Sequence, residues 1–251
     1  MYIFFIKGKE VLFGNLNELL NKIEKLIINS FNNPSQIITL NSLIYFQTKI
    51  DPWSFKAFKN SKLVICDSFG VAFVCSVFSL KILRHQPGIE LVEEIAKISR
   101  TKNYSIYLFG SKKEIVKQAS MNLIDKYQAN IVGCHHGYIF SDISEEKKVI
   151  EDINKKKPDI LLVGLPTELQ EKWIYNNLNK LDCKVVIGVG GSFDVISGKL
   201  KRAPKFFRIL GLEWFFRLAQ QPWRITRIIK LPLAFIVLFY DCFKSKLKNY
   251  E

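Results

Sequence analysis

Four short, uninterrupted apolar runs constrain this chain more than anything else in it: KLVICD (62–67), YSIYLFG (104–110), DILLVGL (159–165) and KVVIGVGG (184–191). A strand with one wet face alternates apolar and polar residues. A run apolar at every position is a strand buried on both faces, the pattern of a parallel sheet covered by helices. QIITLN (36–41) has the same character, and ANIVGCHHGY (129–138) leads into a further helical segment. Between the runs lie segments with apolar residues at helical spacing, among them GIELVEEIAKIS (88–99), SKKEIVKQASMNLIDKY (111–127), SEEKKVIEDINKK (144–156) and TELQEKWIYNNLNK (167–180). Strands alternating with amphipathic helices predict an α/β fold with a mostly parallel sheet and helices on both faces. Ahead of it, YIFFIKGKEVLF (2–13) reads as a hairpin turning at Lys7–Gly8, succeeded by a helix over 15–27. DPWSFKAFKNS (51–61) reads as a helix with Asp51 as its cap and Pro52 in its first turn.

The alternation stops near Gly198, and the composition changes with it. Residues 196–251 carry +9 of the chain's formal charge of +14, with Trp214, Phe215, Phe216 and Trp223 set among the cations. Such asymmetry predicts an acidic partner for this segment. Aromatics interleaved with Lys and Arg match an interfacial amphipathic segment on an anionic membrane. They also suit single-stranded nucleic acid, but no nucleic-acid recognition motif is present, so none is expected as a partner. The longest apolar run here, LPLAFIVLFY (231–240), is too short for a bilayer span of about 20 apolar residues. The N-terminus lacks the cationic start of a signal peptide. The chain therefore divides into a core over 1–195 and a basic, aromatic, α-helical appendage over 196–251. The five cysteines show no C-x-x-C and read as reduced core residues. Apolar helices such as FGVAFVCSVF (69–78) allow a homodimer as well as simple core packing.

In open α/β sheets ligands bind beyond the carboxyl ends of the strands. Polar or glycine-rich residues stand there at Thr39–Asn41, Asp67–Ser68, Gly110–Ser111 and Gly188–Asp194. Asp67 ends an apolar strand and precedes a helix. Its position fits an N-cap and a partly desolvated general base equally well. In GVGGSFD (188–194) the glycines let the backbone approach a phosphate, though the spacing is neither G-x-G-x-x-G nor a P-loop. No D-x-D occurs, so no obvious carboxylate pair exists to hold a metal-bridged diphosphate. Two adjacent histidines, His135 and His136, rarely converge on one ion, and no metal centre or cofactor is expected. Arginines would then have to meet a departing diphosphate. Arg217, Arg224 and Arg227 share one helical face if Pro222 kinks the helix rather than ending it.

The blocks IGVGGSFDVISGKLKRAP (187–204) and LGLEWFFRL (210–218), with VGL…QEKWI, HHGY, TLNS and the strand ending in Asp67, resemble the WecG/TagA/CpsF glycosyltransferases, glycosyltransferase family 26. The resemblance spans nearly the whole chain. It implies a Rossmann-like core with a membrane-contacting appendage that closes over the site. It also implies an inverting, metal-independent transfer from a UDP-sugar to a polyprenyl-diphosphate-linked glycan, as a peripheral protein at the cytoplasmic face of the bacterial inner membrane. Carried over, Asp67 resembles the base, and Thr39 and Asn41 the strand end near donor and acceptor. Gln170 matches a family glutamine, while Gly190, Gly191 and Asp194 fall on the nucleotide-binding turn. Arg217, Arg224 and Arg227 match the arginines that meet the diphosphate. Departures are Cys66-Asp67-Ser68 for P-D-G, GLPTELQE (164–171) for G-x-G-x-P-K-Q-E, and RHQPGIEL (84–91) for R-V-T-G-x-D-L. Ungapped alignment puts His85, beside Arg84, on the family arginine, and Glu90 replaces an aspartate. These changes leave the donor sugar open among N-acetylmannosamine-type, glucose-type and uronic acid. They also leave room for a non-catalytic nucleotide-binding scaffold.

Overall fold

A computed structural model describes residues 1–30, 33–140 and 143–248. The last three residues of the expected appendage, 249–251, lie outside the described residues. Eight strands form one sheet: β1 (Tyr2–Ile6), β2 (Lys9–Phe13), β3 (Ser35–Leu40), β4 (Leu63–Cys66), β5 (Ile106–Gly110), β6 (Ile131–His135), β7 (Ile160–Gly164) and β8 (Val185–Gly188). Around it lie helices α1 (Leu16–Asn29), α2 (Ser42–Ile50), α3 (Pro52–Asn60), α4 (Phe69–Ser79), α5 (Gly88–Lys102), α6 (Lys113–Tyr127), α7 (Ile143–Lys156), α8 (Thr167–Asn177) and α9 (Ser192–Ile196). Towards the C-terminus follow α10 (Lys205–Ile209), α11 (Glu213–Gln220), α12 (Ile225–Ile228) and α13 (Leu231–Lys248). No helix among the described residues is long and apolar enough to cross a membrane.

The sheet order is β1-β2-β4-β3-β8-β7-β5-β6. Among the described residues only the β1–β2 pair is antiparallel. Lys7 and Gly8 both take positive φ, 52° and 71°, as a two-residue hairpin turn requires. Successive residues of each strand feed opposite faces. Ile37, Ile65, Leu108, Leu162 and Ile187 pack with α1, α5 and α6, whereas Ile38, Val64 and Cys66 pack with α2, α3 and α4. Further along that second face Phe109, Leu161, Val163 and Val186 meet α7 and α8. Two buried faces explain the unbroken apolar runs. The order also sets the carboxyl ends of β4, β3, β8, β7 and β5 side by side, so the polar residues at those strand ends share one edge.

Three local expectations need correction. Periodicity leads from β3 straight to the helix at Pro52 and does not reveal α2, whose buried residues include Ile44, Tyr45 and Thr48, poor helix formers held by tertiary packing. Asp51 stands at the N-cap position of α3, but its side chain makes no capping bond; its carboxylate accepts from the Gln47 side chain instead. Pro222 ends a helix rather than kinking it: α11 stops at Gln220, and Pro222 opens a 3₁₀ turn over 222–224. Arg217, Arg224 and Arg227 therefore do not share a continuous helix.

The final helix is part of the packed body. Ala234, Leu238 and Cys242 of α13 are fully buried, the last two in one cluster with α2, α4 and β3. Buried Asp241 accepts from Tyr45 Oη at 2.5 Å and forms an ion pair with Lys49.

Candidate active site

Asp67 is fastened from two sides. Its N–H donates to Leu40 O at 2.9 Å, tying the end of β4 to that of β3. Its Oδ1 accepts from Gly88 N–H at 2.5 Å. Ser68, not Asp67, caps α4, through Val71 N–H. Gly88 opens α5, whose preceding Pro87 offers no side-chain cap. The carboxylate thus sits where a helix presents N–H groups and a positive dipole end. A Cβ on residue 88 would lie 3.3 Å from Asp67 Oδ1, so glycine permits the approach. Burial pushes the Asp67 carboxyl up to about 6, against the opposing pull of the Gly88 bond and the Arg217 charge, with Glu213 adding to the rise. Such a group is ionised at neutral pH yet far more basic than an ordinary aspartate.

Gln86 N–H donates to Cys66 O at 2.7 Å and holds the preceding loop over β4. His85 of that loop lines the cavity, its ring edge-on to Phe69 at 6.3 Å. Burial lowers its pKa, partly offset by Glu213 and Glu90. Arg84 is exposed and does not line the cavity.

On the neighbouring strand ends, Thr39 Oγ1 donates to Gly188 O at 2.6 Å. Asn41 Oδ1 caps α2 by accepting from Leu43 and Ile44 N–H, both at 3.0 Å, while the residue still faces the cavity. Gln170 Oε1 accepts from Gly190 N–H at 2.7 Å, and its Nε2 donates to Glu171 at 2.7 Å. Gln36 donates to the other Glu171 oxygen at 2.8 Å. Burial pushes the Glu171 carboxyl up to about 7, with both amide bonds opposing. This buried chain holds the glycine turn from below. Gln36 and Glu171 are not legible as site residues in the sequence, because their contact joins residues 135 positions apart.

Gly190 has φ 51°, and a Cβ on Gly191 would lie 3.5 Å from Arg224 Nη2, 3.7 Å from Arg217 Nη1 and 3.4 Å from Asp194 Oδ2. The turn therefore faces two guanidinium groups delivered by separate elements. Ser111 Oγ donates to Asp194 Oδ1 at 3.2 Å. Arg217 is steered by Glu213 at 2.8 and 3.1 Å, and Arg224 Nε donates to Gln221. Burial lowers Arg224 to about 10, helped by the charges of Arg217 and Arg227 and opposed by Asp194. Two half-buried guanidinium groups facing a glycine turn have the chemistry to hold an anion. Arg227 lines the same cavity, whose volume is about 1610 Å³.

The glycosyl transferase WecG/TagA/CpsF family model matches residues 6–250. The chain belongs to that family. It is a glycosyltransferase, and its relatives include enzymes from three Staphylococcus aureus strains, MW2, NCTC 8325 / PS 47 and MRSA252. Each is named N-acetylglucosaminyldiphosphoundecaprenol N-acetyl-beta-D-mannosaminyltransferase. Each is 30% identical over 231 residues, covering 92% of this chain and 88% of the relative.

In this WecG/TagA/CpsF protein the KRAP block and α10 are tied to α5. Arg202 pairs with Glu90, which also receives Arg208 at 3.4 Å and Gln86 Nε2 at 2.9 Å. One carboxylate thus serves two guanidinium groups, and the Nε of each is buried without an acceptor. Gly211 of LGLEW lies against Phe69, whose ring a Cβ there would strike at 2.4 Å. His135 and His136 do come together with Glu145 of α7, their potential ligand atoms all within 4.8 Å. His135 Nδ1 bonds His136 O at 2.9 Å and Glu145 pairs with Lys148 at 3.3 Å. From this HHGY block Gly137 and Tyr138, not the histidines, line the cavity.

Proposed function

We propose that this glycosyltransferase moves a sugar from a UDP-sugar to a polyprenyl-diphosphate-linked glycan at a membrane surface, inverting the anomeric centre. The observation that carries the reading is one cavity holding a carboxylate of raised basicity and a glycine turn faced by Arg217 and Arg224, with Arg227 in the same lining. The diphosphate of the donor lies between the Gly190–Gly191 turn and the guanidinium groups. Asp67 takes the proton of the acceptor hydroxyl, and that oxygen attacks the anomeric carbon from the face opposite UDP. The anomeric C–O bond to the β-phosphate breaks and its electron pair leaves with UDP. Arg217, Arg224 and Arg227 compensate the growing charge, the part a metal ion plays in other transferases. The names of the relatives support a GlcNAc-diphosphate-polyprenyl acceptor. Residues 196–251 act as the appendage that both closes the site and meets the bilayer: Phe206, Trp214, Phe215, Trp223 and Ile229 are exposed among Lys205, Lys201 and Lys230.

The test incubates the protein with EDTA, a panel of UDP-sugars and a short polyprenyl-diphosphate-GlcNAc analogue, and records UDP release. Acceptor-dependent release with one donor is expected, with Asp67→Asn slower by about 10²–10⁴-fold. Wild-type turnover in Asp67→Asn would remove the base assignment. UDP binding without release from any donor would favour the non-catalytic scaffold.

A further inference from the structure

The cavity is larger than a nucleotide-sugar needs. Small-molecule clefts run to about 300–1000 Å³, against about 1610 Å³ here. One wall of the cavity is lined by Asp67 and by Phe69, Gly70 and Phe73 of α4. That helix is apolar on every side, a composition expected of a fully buried helix. Val71, Ala72, Val74 and Cys75 do face the core. Phe69, Phe73 and Val77, at i, i+4 and i+8, form a second stripe that remains 39–48% exposed, and Leu80 and Ile82 beyond it are 84% and 93% exposed. Phe69 stacks on Phe73 at 6.0 Å, and Phe73 meets Phe235 of α13 at 6.1 Å. Phe69, Phe73, Leu231 and Phe235 line the same cavity as Asp67, His85 and Arg217.

Resting on the transferase reading, we propose that this aromatic stripe is a binding groove for the first isoprene units of the acceptor's own lipid tail. The groove starts two residues from the base, where the reacting sugar must stand. It then follows one turn of α4, about 6 Å from Phe69 to Phe73 at 1.5 Å per residue, and Val77 lies exposed beyond the cavity lining. A flexible, branched hydrocarbon suits it: stacked rings make an apolar floor, and no charged residue stands on the stripe itself. Arg208, which lines the cavity and is not among the arginines assigned to the donor, supplies a cation for the diphosphate that joins tail to sugar. A tail seated here orients the acceptor hydroxyl before the donor arrives. It makes the enzyme select for a prenyl-linked glycan over the free sugar diphosphate.

The test needs no turnover. Binding of farnesyl diphosphate, below the concentration at which it aggregates, is compared with inorganic diphosphate by calorimetry on the full chain, for wild type, Phe73→Ala and Phe215→Ala. Co-sedimentation with anionic vesicles is measured beside it. Wild type is expected to favour farnesyl diphosphate by tenfold or more, and Phe73→Ala to lose about tenfold of that preference with vesicle binding intact. Phe215→Ala, on α11 and outside the cavity lining, should do the reverse. Equal affinity for the two diphosphates, or an unchanged preference in Phe73→Ala, overturns the groove. So does a parallel loss of preference and vesicle binding, which makes the stripe a patch of general bilayer contact. If UDP release fails with every donor while the Phe73-dependent preference holds, the transferase assignment falls and the lipid groove stands.

Discussion

At the residue scale the proposed mechanism sets a base against cations and keeps both partly dry. It requires ionised Asp67, whose carboxyl is raised to about 6. With nucleotide-sugar in excess, kcat/KM for the acceptor is therefore expected to fall tenfold per pH unit below about 6 and to be level above it up to neutrality. A pH–rate profile checks this, and a midpoint near 4 would mean the base is an ordinary exposed carboxylate. The two turn glycines should separate stability from binding. Gly190→Ala forces a Cβ onto φ 51° with nothing within 4 Å to strike, so it should cost about 1–2 kcal/mol of stability. Gly191→Ala has ordinary φ and contact distances, so it should leave Tm alone. Its methyl fills the gap between turn and guanidinium groups, and UDP affinity should drop about tenfold or more. Denaturation and calorimetry on both variants read the two effects. Position in the sequence leaves Asp67 open between helix cap and base, and the family resemblance implies the base. The structure gives the cap to Ser68 and brings Gly88 back from 21 residues along to hold the Asp67 carboxylate.

At the element scale each strand and most helices arise from local pattern, because a strand buried on both faces leaves an unmistakable apolar run. Helix α2 does not: its buried face is set by α3 and α13, not by its own periodicity. The same contact predicts how the last helix is held. Asp241 of α13 is buried between Tyr45 and Lys49 of α2. Asp241→Asn should destabilise the protein by about 1–3 kcal/mol, since it leaves a half-buried ammonium uncompensated. Urea unfolding measures this, and a change within error would show that the pair adds nothing beyond the apolar contacts of Leu238 and Cys242. The arginines teach the opposite lesson. Spacing puts them on one helix, Pro222 breaks that helix, and the 3₁₀ turn over 222–224 still returns Arg224 to Arg217.

At the scale of the whole molecule, the cationic, aromatic segment after Gly198 forms one wall of the cavity and also buries α13 in the core. Cutting at Gly198 would uncover Leu238, Cys242 and their partners, so lost activity in such a truncation would report unfolding as much as lost membrane contact. Salt is the cleaner probe. Vesicle binding through the cations of this segment should weaken strongly between about 0.1 and 1 M salt, where screening shortens from about 10 to 3 Å, and Trp223→Ala should weaken it at low salt as well. Binding indifferent to both would refute the membrane face. The sequence alone determined the α/β class, the polar strand ends, the charged tail and the family, since each is written in neighbouring residues or in a contiguous motif. Only tertiary structure decided the strand order, the Gly88 clamp on Asp67, the Gln36–Glu171–Gln170 prop under the glycine turn, and the meeting of α4 with α13. Those join residues tens to hundreds of positions apart, and packing, not local propensity, selects them.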